Sequence, residues 1–257
     1  MKALATLVVA GIMQLGFAHA ALAQDDLAKI QSAGVLKIGT EGTYPPFTFH
    51  NASGTLEGFD VEIGREIAKH LKVNPQFVEG KWDGLIAGID ANRYDVVINQ
   101  VGITPERQKK FDFSEPYIAS KAVLIVNDKN SSIKSFADLK GKKSAHSLTS
   151  NYAQIARKYG AEIVPTDGFN QSIDLVVQGR ADATINDNLS FLDFKKHKPS
   201  APVKIIATED NAEKSGVLLR KNNPQLKAAI DKALEEIKAD GTYERISQKY
   251  FGADVSK

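Results

Sequence analysis

Short apolar runs and amphipathic stretches take turns along the chain. "VLKIGT" (35–40) is an apolar run of strand length, and "FDVEIGREIAKHL" (59–71) follows with Ile63, Ile67 and Leu71 at intervals of four. That spacing puts them on one helix face, and Asp60 stands at the N-cap position. Strand "PQFVEG", helix "WDGLIAGIDANR" and strand "DVVINQ" (95–100) come next. Strands separated by helices predict parallel βαβ units.

After Tyr117 the pattern begins again. Strand "VLIVND" (123–128) leads through "SFADLKGKK" to strand "SAHS", then to helix "NYAQIARKYG" with Ser150 as its N-cap. Strand "AEIVPT", helix "NQSIDLVVQG" and strand "ADATIND" complete a second α/β set. "SGVLLRK" (215–221) brings the chain back, and closing helices occupy about 224–239 and 242–250. The expected organisation is a first lobe over 24–119, a second over 120–214, and a return crossing with the rest of the first lobe over 215–257. No fixed-period repeat and no low-complexity stretch interrupts it.

Composition agrees with this picture: 42% hydrophobic and 25% charged residues over 257 positions suit one or two globular domains rather than a disordered chain. Residues 1–23 stand apart. Met1 and Lys2 give a basic start, Ala3 to Phe17 an almost unbroken apolar run, and Ala18-His19-Ala20 and Ala21-Leu22-Ala23 two small-residue sites. This is the pattern of a cleavable signal peptide, cut after Ala23 or alternatively after Ala20. The run is shorter than the ~20 residues of a spanning helix. Removal of the segment would change the formal charge from +2 to +1, because Lys2 is its only charge. Such a near-neutral chain is not expected to bind nucleic acid. Cysteine is absent, which leaves no disulfide framework and no cysteine for a lipid anchor. The mature protein is expected to be soluble and outside the cytoplasm.

Open parallel sheets bind ligands beyond the carboxyl ends of their strands. Those ends carry Glu41 and Tyr44 after the first strand, Trp82 after the second, and Asn99 to Gly102 after the third. In the second set they carry Thr149, Ser150 and Asn151, and Asp187. Two lobes facing across a cleft would gather these residues around one small molecule. Arg107 can grip a carboxylate through two parallel hydrogen bonds. Helix-start N–H groups near Ser150 and Asn151 favour an anion, and Asp187 suits an ammonium. Carboxylate and ammonium side by side describe an α-amino acid. Each residue also has a plainer reading: Arg107 in a salt bridge, Ser150 and Asp187 as helix caps, Tyr44 and Trp82 as packing. Their joint placement favours the ligand.

"GTYPPF" (42–47), "GFDVEIGREIAKHL" (58–71), "KWDGLIAGIDANRYDVVINQVGIT" (81–104), "FDFSEPY" (111–117), "LTSNY" (148–152), "GRADATINDNL" (179–189) and "DGTYERISQKYFG" (240–252) resemble the periplasmic polar amino-acid binding proteins of ABC importers, solute-binding protein family 3. The resemblance runs from about Leu36 to Gly252, and "EGTYPPF", "KWDG", "VINQV" and "LTSNY" are most similar to the cystine-binding branch. It implies the two-lobed periplasmic binding protein fold (type II), each lobe a mostly parallel sheet flanked by helices, with the ligand in the interlobe cleft. It also implies that Tyr44 and Trp82 stack on the ligand side chain, and that Asn99, Gln100 and Gly102 line the α-amino and carboxylate site. Arg107 would clamp the carboxylate with Ser150 and Asn151, Asp187 would receive the ammonium, and Glu41 would contact the side chain. Gly102 departs from the serine or threonine common at its position, and "SAHSLTS" departs from a glycine-rich stretch. His146 reads as a strand residue without ligand contact.

The resemblance further implies periplasmic location, a monomer, membrane subunits of an importer as partners, and L-cystine as ligand, with other polar or basic amino acids as alternatives. A cyclohexadienyl dehydratase-like enzyme on the same fold is the alternative of another class. Against it, the chain has no Walker A loop, no H-E-x-x-H and no G-x-S-x-G. His50, His70, His146 and His197 are scattered, so neither a metal nor another cofactor is expected.

Overall fold

The computed structural model describes residues 25–256; the segment 1–23, expected to be a signal peptide, lies outside the described residues. Two α/β lobes each carry a five-stranded sheet. In the first, the strand order is Asn74–Glu79, Val35–Thr40, Val96–Val97, Leu218–Arg220, Phe111–Phe113. In the second it is Glu162–Pro165, Lys143–His146, Ala183–Asp187, Ala122–Asn127, Val203–Thr208.

Three neighbouring strands in each sheet are parallel, joined by the expected helical crossovers. The remaining pairings are antiparallel, because one strand in each sheet, Leu218–Arg220 in the first and Ala122–Asn127 in the second, runs against all the others. Between the lobes, Ile118–Ser120 and Glu213–Ser215 pair as a two-stranded antiparallel ribbon, so both crossings run side by side.

The helix Phe59–His70 buries Ile63 and Ile67 completely, as their spacing requires. Its start differs from expectation. Gly58, not Asp60, is the N-cap, and Asp60 is fully buried inside the first turn. The chain reaches the helix through a backbone φ of 135° at Gly58, where a Cβ would lie 2.2 Å from the Phe47 carbonyl oxygen. Only glycine fits both demands, and its carbonyl accepts the Glu62 N–H at 3.0 Å.

The stretch expected as one helix over 82–93 is two short ones, Trp82–Leu85 and Ala87–Asp90. The strand expected over 95–100 is regular only at Val96–Val97, since Gln100 turns into the left-handed region at φ 51°. "TYPPF" turns between Thr43–Tyr44 and Thr48–His50, and the closing helices span Pro224–Ala239 and Thr242–Phe251.

The lobes touch. The Tyr44 hydroxyl donates to Asn186 Oδ1 at 2.7 Å, and the Tyr44 and Phe169 rings meet edge on with centroids 6.4 Å apart. Ser190 Oγ donates to the Pro45 carbonyl at 3.3 Å. Across the rim, Asp83 accepts hydrogen bonds from Leu148 and Thr149, and Lys81 pairs with Asp167.

Candidate ligand-binding cleft

In the first lobe, two buried amides organise the strand ends. Asn99 is 1% exposed. Its Oδ1 accepts the Glu41 backbone N–H at 2.8 Å, and its Nδ2 donates to Glu41 Oε2 at 2.6 Å, so one side chain fixes both the backbone and the carboxylate of Glu41. Gln100 donates its backbone N–H and its Nε2 to the two oxygens of Asp60 at 2.7 and 2.8 Å. A left-handed conformation costs a non-glycine residue roughly 1–2 kcal/mol. Two hydrogen bonds to a carboxylate offset it. Asp60 therefore acts as the clamp that turns residue 100 toward the cleft.

In the second lobe, Ser150 caps the helix Asn151–Lys158 by accepting the Ala153 N–H at 3.0 Å. Asn151 Nδ2 donates to Glu213 Oε2 at 2.7 Å. Asp187 caps Asn188–His197 by accepting the Leu189 N–H at 2.7 Å, and its other oxygen accepts from the Ser120 hydroxyl. It is only 2% exposed.

Seven of the ten residues expected from the sequence border one interlobe cavity: Glu41, Tyr44, Trp82, Asn99, Gln100, Ser150 and Asn151. Gly102, Arg107 and Asp187 lie outside that wall. Arg107 sits behind Trp82, its guanidinium carbon 5.3 Å from the ring centroid, and Nη1 donates to the Gly102 carbonyl at 2.9 Å. Three buried polar atoms here have no hydrogen-bond partner among the described residues: Trp82 Nε1, Gln100 Oε1 and Arg107 Nη2. Two are donors and one an acceptor, which suits a ligand carrying both kinds of group.

The charges are unbalanced toward acid. Burial pushes Glu41, Asp60 and Glu213 up to about 7 and Asp187 to about 6. Asn99, Gln100 and Ser120 work against burial by hydrogen bonding, while Asp187 pushes Glu213 further up and Arg107 pulls it down. Burial also raises the Tyr44 phenol, with Asp187 and Glu41 both adding to the rise, so Tyr44 stands within the field of two carboxylates. Arg107 itself is lowered by burial. Burial thus leaves the Glu41, Asp60 and Glu213 carboxyls partly protonated near neutral pH.

The sequence reading missed several residues: Tyr152, Phe169 and Asn186 border the cavity, as do His146 and Ser147, the pair in "SAHSLTS" that could alter its wall. Burial holds His146 down to about 3, with its Nε2 2.7 Å from Ser144 Oγ, so it is a neutral wall residue. Asp60 was visible in "GFDVE" but only as a helix cap. Glu213 stands in "TEDNAEKSG", a charged run that looks like any solvated surface.

The profile of bacterial extracellular solute-binding proteins, family 3, matches residues 36–253. The L-cystine-binding protein TcyA of Bacillus subtilis is 44% identical over 231 residues, 90% of this chain and 86% of the relative. Among solved structures, an ancestral arginine-binding protein bound to arginine superposes with a TM-score of 0.80 at 41% identity, over 85% of this chain and 99% of that one. The L-cystine solute receptor of Neisseria gonorrhoeae, unliganded and open, is 47% identical over 90% of this chain and 99% of that one, yet its TM-score is 0.60. The more similar sequence superposes less well, in keeping with the direct contacts between the lobes here.

Proposed function

The chain belongs to the bacterial extracellular solute-binding proteins of family 3, and from that premise we propose that it captures L-cystine and delivers it to the membrane subunits of an ABC importer. The protein acts as a monomer in the periplasm, after removal of residues 1–23, and catalyses no reaction. The lobes correspond to 24–119 with 215–257, and to 120–214.

One observation carries the choice of ligand: two buried carboxylates from different lobes, Glu41 and Asp187, both act on the Tyr44 phenol that borders the cavity. A molecule with two amino-acid heads presents two ammonium groups, one for each carboxylate. Asp187 receives the first, in the position that also caps its helix, and Glu41 the second. Arg107 holds a carboxylate with the guanidinium nitrogen that lacks a protein partner, and Trp82 and Tyr44 flank the apolar middle of the ligand. The names of the B. subtilis and N. gonorrhoeae relatives point to the same ligand.

Calorimetric titration of protein unfolded and refolded to strip copurified ligand tests this. Expected is one-to-one binding of L-cystine, lost in Arg107→Ala and weakened in Glu41→Ala. No heat with any amino acid sinks the reading. Unchanged cystine affinity in Glu41→Ala, with loss in Asp187→Ala, removes the two-headed arrangement alone.

A further inference from the structure

The cavity wall and the lobe rim alternate along the same two segments. Trp82 faces the cavity, and the next residue, Asp83, faces the opposite lobe. Ser147, Ser150 and Asn151 border the cavity, whereas Leu148 and Thr149 between them turn to Asp83. The Asp83 carboxylate accepts three hydrogen bonds: the Leu148 N–H at 3.2 Å, the Thr149 N–H at 2.9 Å and the Thr149 hydroxyl at 2.8 Å. Arg157 Nη1 holds the Leu148 carbonyl from behind at 3.2 Å, so the loop is tied on both sides. Beside it, Lys81 Nζ lies 2.7 Å from Asp167 Oδ2.

We propose that Asp83, supported by the Lys81–Asp167 pair, is an interlobe latch that sets the affinity of the cleft for every ligand without touching any of them. These bonds join lobe to lobe and exist only when the lobes are together. A contact made in the closed state alone raises the closed fraction, and apparent affinity rises with that fraction by the same factor whichever ligand is bound. The inference rests on the reading of the cleft as a binding site closed by lobe movement. It assigns Asp83 a positioning role: the residue places the 147–150 loop against the first lobe. Solvent exposure keeps each bond modest, but three hydrogen bonds to one carboxylate together make Asp83→Ala worth a roughly 10-fold change. Asp167→Ala removes an exposed ion pair and is worth about 2- to 3-fold.

Two measurements test the latch. The first is calorimetry of Asp83→Ala, Thr149→Val and Asp167→Ala with L-cystine and with each other amino acid that binds the wild type. Affinity should fall by one factor per variant across all ligands, with selectivity unchanged. Thr149→Val and Asp167→Ala leave the Asp83 charge near Glu41 in place, so they separate latching from attraction of a cation. A loss confined to one ligand in these two variants would overturn the proposal.

The second needs no ligand. The chain has no cysteine, so dyes on Lys69→Cys and Lys158→Cys, one in each lobe, report the closed fraction by single-molecule energy transfer. The ratio of closed to open molecules should drop roughly 10-fold in Asp83→Ala; equal ratios in wild type and variant would refute the latch. If no amino acid binds the wild type, the ligand reading falls while the transfer measurement still decides the latch.

Discussion

Replacing Glu41 by glutamine should uncouple ligand binding from a proton. Burial lifts the Glu41 carboxyl from 4.5 to about 7, with the Asn99 hydrogen bond opposing and the Asp83 charge adding to the rise. An ammonium set against Glu41 needs the ionised form. With the carboxyl titrating at about 7, about one molecule in eleven is ionised at pH 6 and about one in a hundred at pH 5. Cystine affinity should therefore fall about 10-fold from its alkaline limit at pH 6, and about 100-fold at pH 5, from this group alone. Glu213 and Asp187 titrate in the same region and steepen the slope. Glu41→Gln should flatten it by one proton and weaken binding at pH 8 by about 10- to 100-fold, the worth of a charged hydrogen bond.

Calorimetry at pH 6 in two buffers of different ionisation heat counts the protons. The wild type should release nearly one more proton per cystine bound than Glu41→Gln. Equal counts would refute the reasoning, because they would mean that Glu41 does not change ionisation when the ligand arrives. Stability of the ligand-free protein runs the other way. Between the ordinary carboxylate range and about 7 the folded chain binds more protons at Glu41, Asp60 and Glu213 than the unfolded chain, so stability falls as pH rises through that window. Its melting temperature should rise on going from pH 8 to pH 5.

Gly58→Ala forces a Cβ to within 2.2 Å of the Phe47 carbonyl oxygen at a φ of 135°, and should cost about 3 kcal/mol or more, read as a loss of midpoint in urea unfolding; a midpoint within error of wild type would contradict the packing described. Ser150→Ala removes the cap of Asn151–Lys158 and should cost about 1 kcal/mol of stability by the same measurement, together with a drop in cystine affinity as Asn151 loses its fixed helix start.

The helix over 59–70 was legible because its apolar spacing is strict and its buried face needs nothing from elsewhere in the chain. The strand before Gln100 was legible as apolar but not in length, because its end is imposed from outside by the Asp60 carboxylate, forty positions earlier in the chain. The cleft shows the same division. Residues at strand ends could be named from order alone, which brought Glu41, Asn99 and Asn151 to the wall. Asp60 and Glu213 could not, since their importance comes from burial and from distant partners, and neither leaves a mark in local spacing. Asp187 was visible both as a cap and as a carboxylate, and the structure shows the cap directly.

The double crossing bears on how the chain acquires its structure. The second lobe is made of one uninterrupted stretch, so everything its sheet needs is present once Thr208 has been synthesised. The first lobe must wait. Its strand Leu218–Arg220 lies inside the sheet, between Val96–Val97 and Phe111–Phe113, and without it Phe111–Phe113 has no neighbour to pair with. Contacts between residues more than a hundred positions apart are slow to form. A chain emerging from its N-terminus therefore completes its middle before its beginning, and the half that starts first is the last to close its sheet.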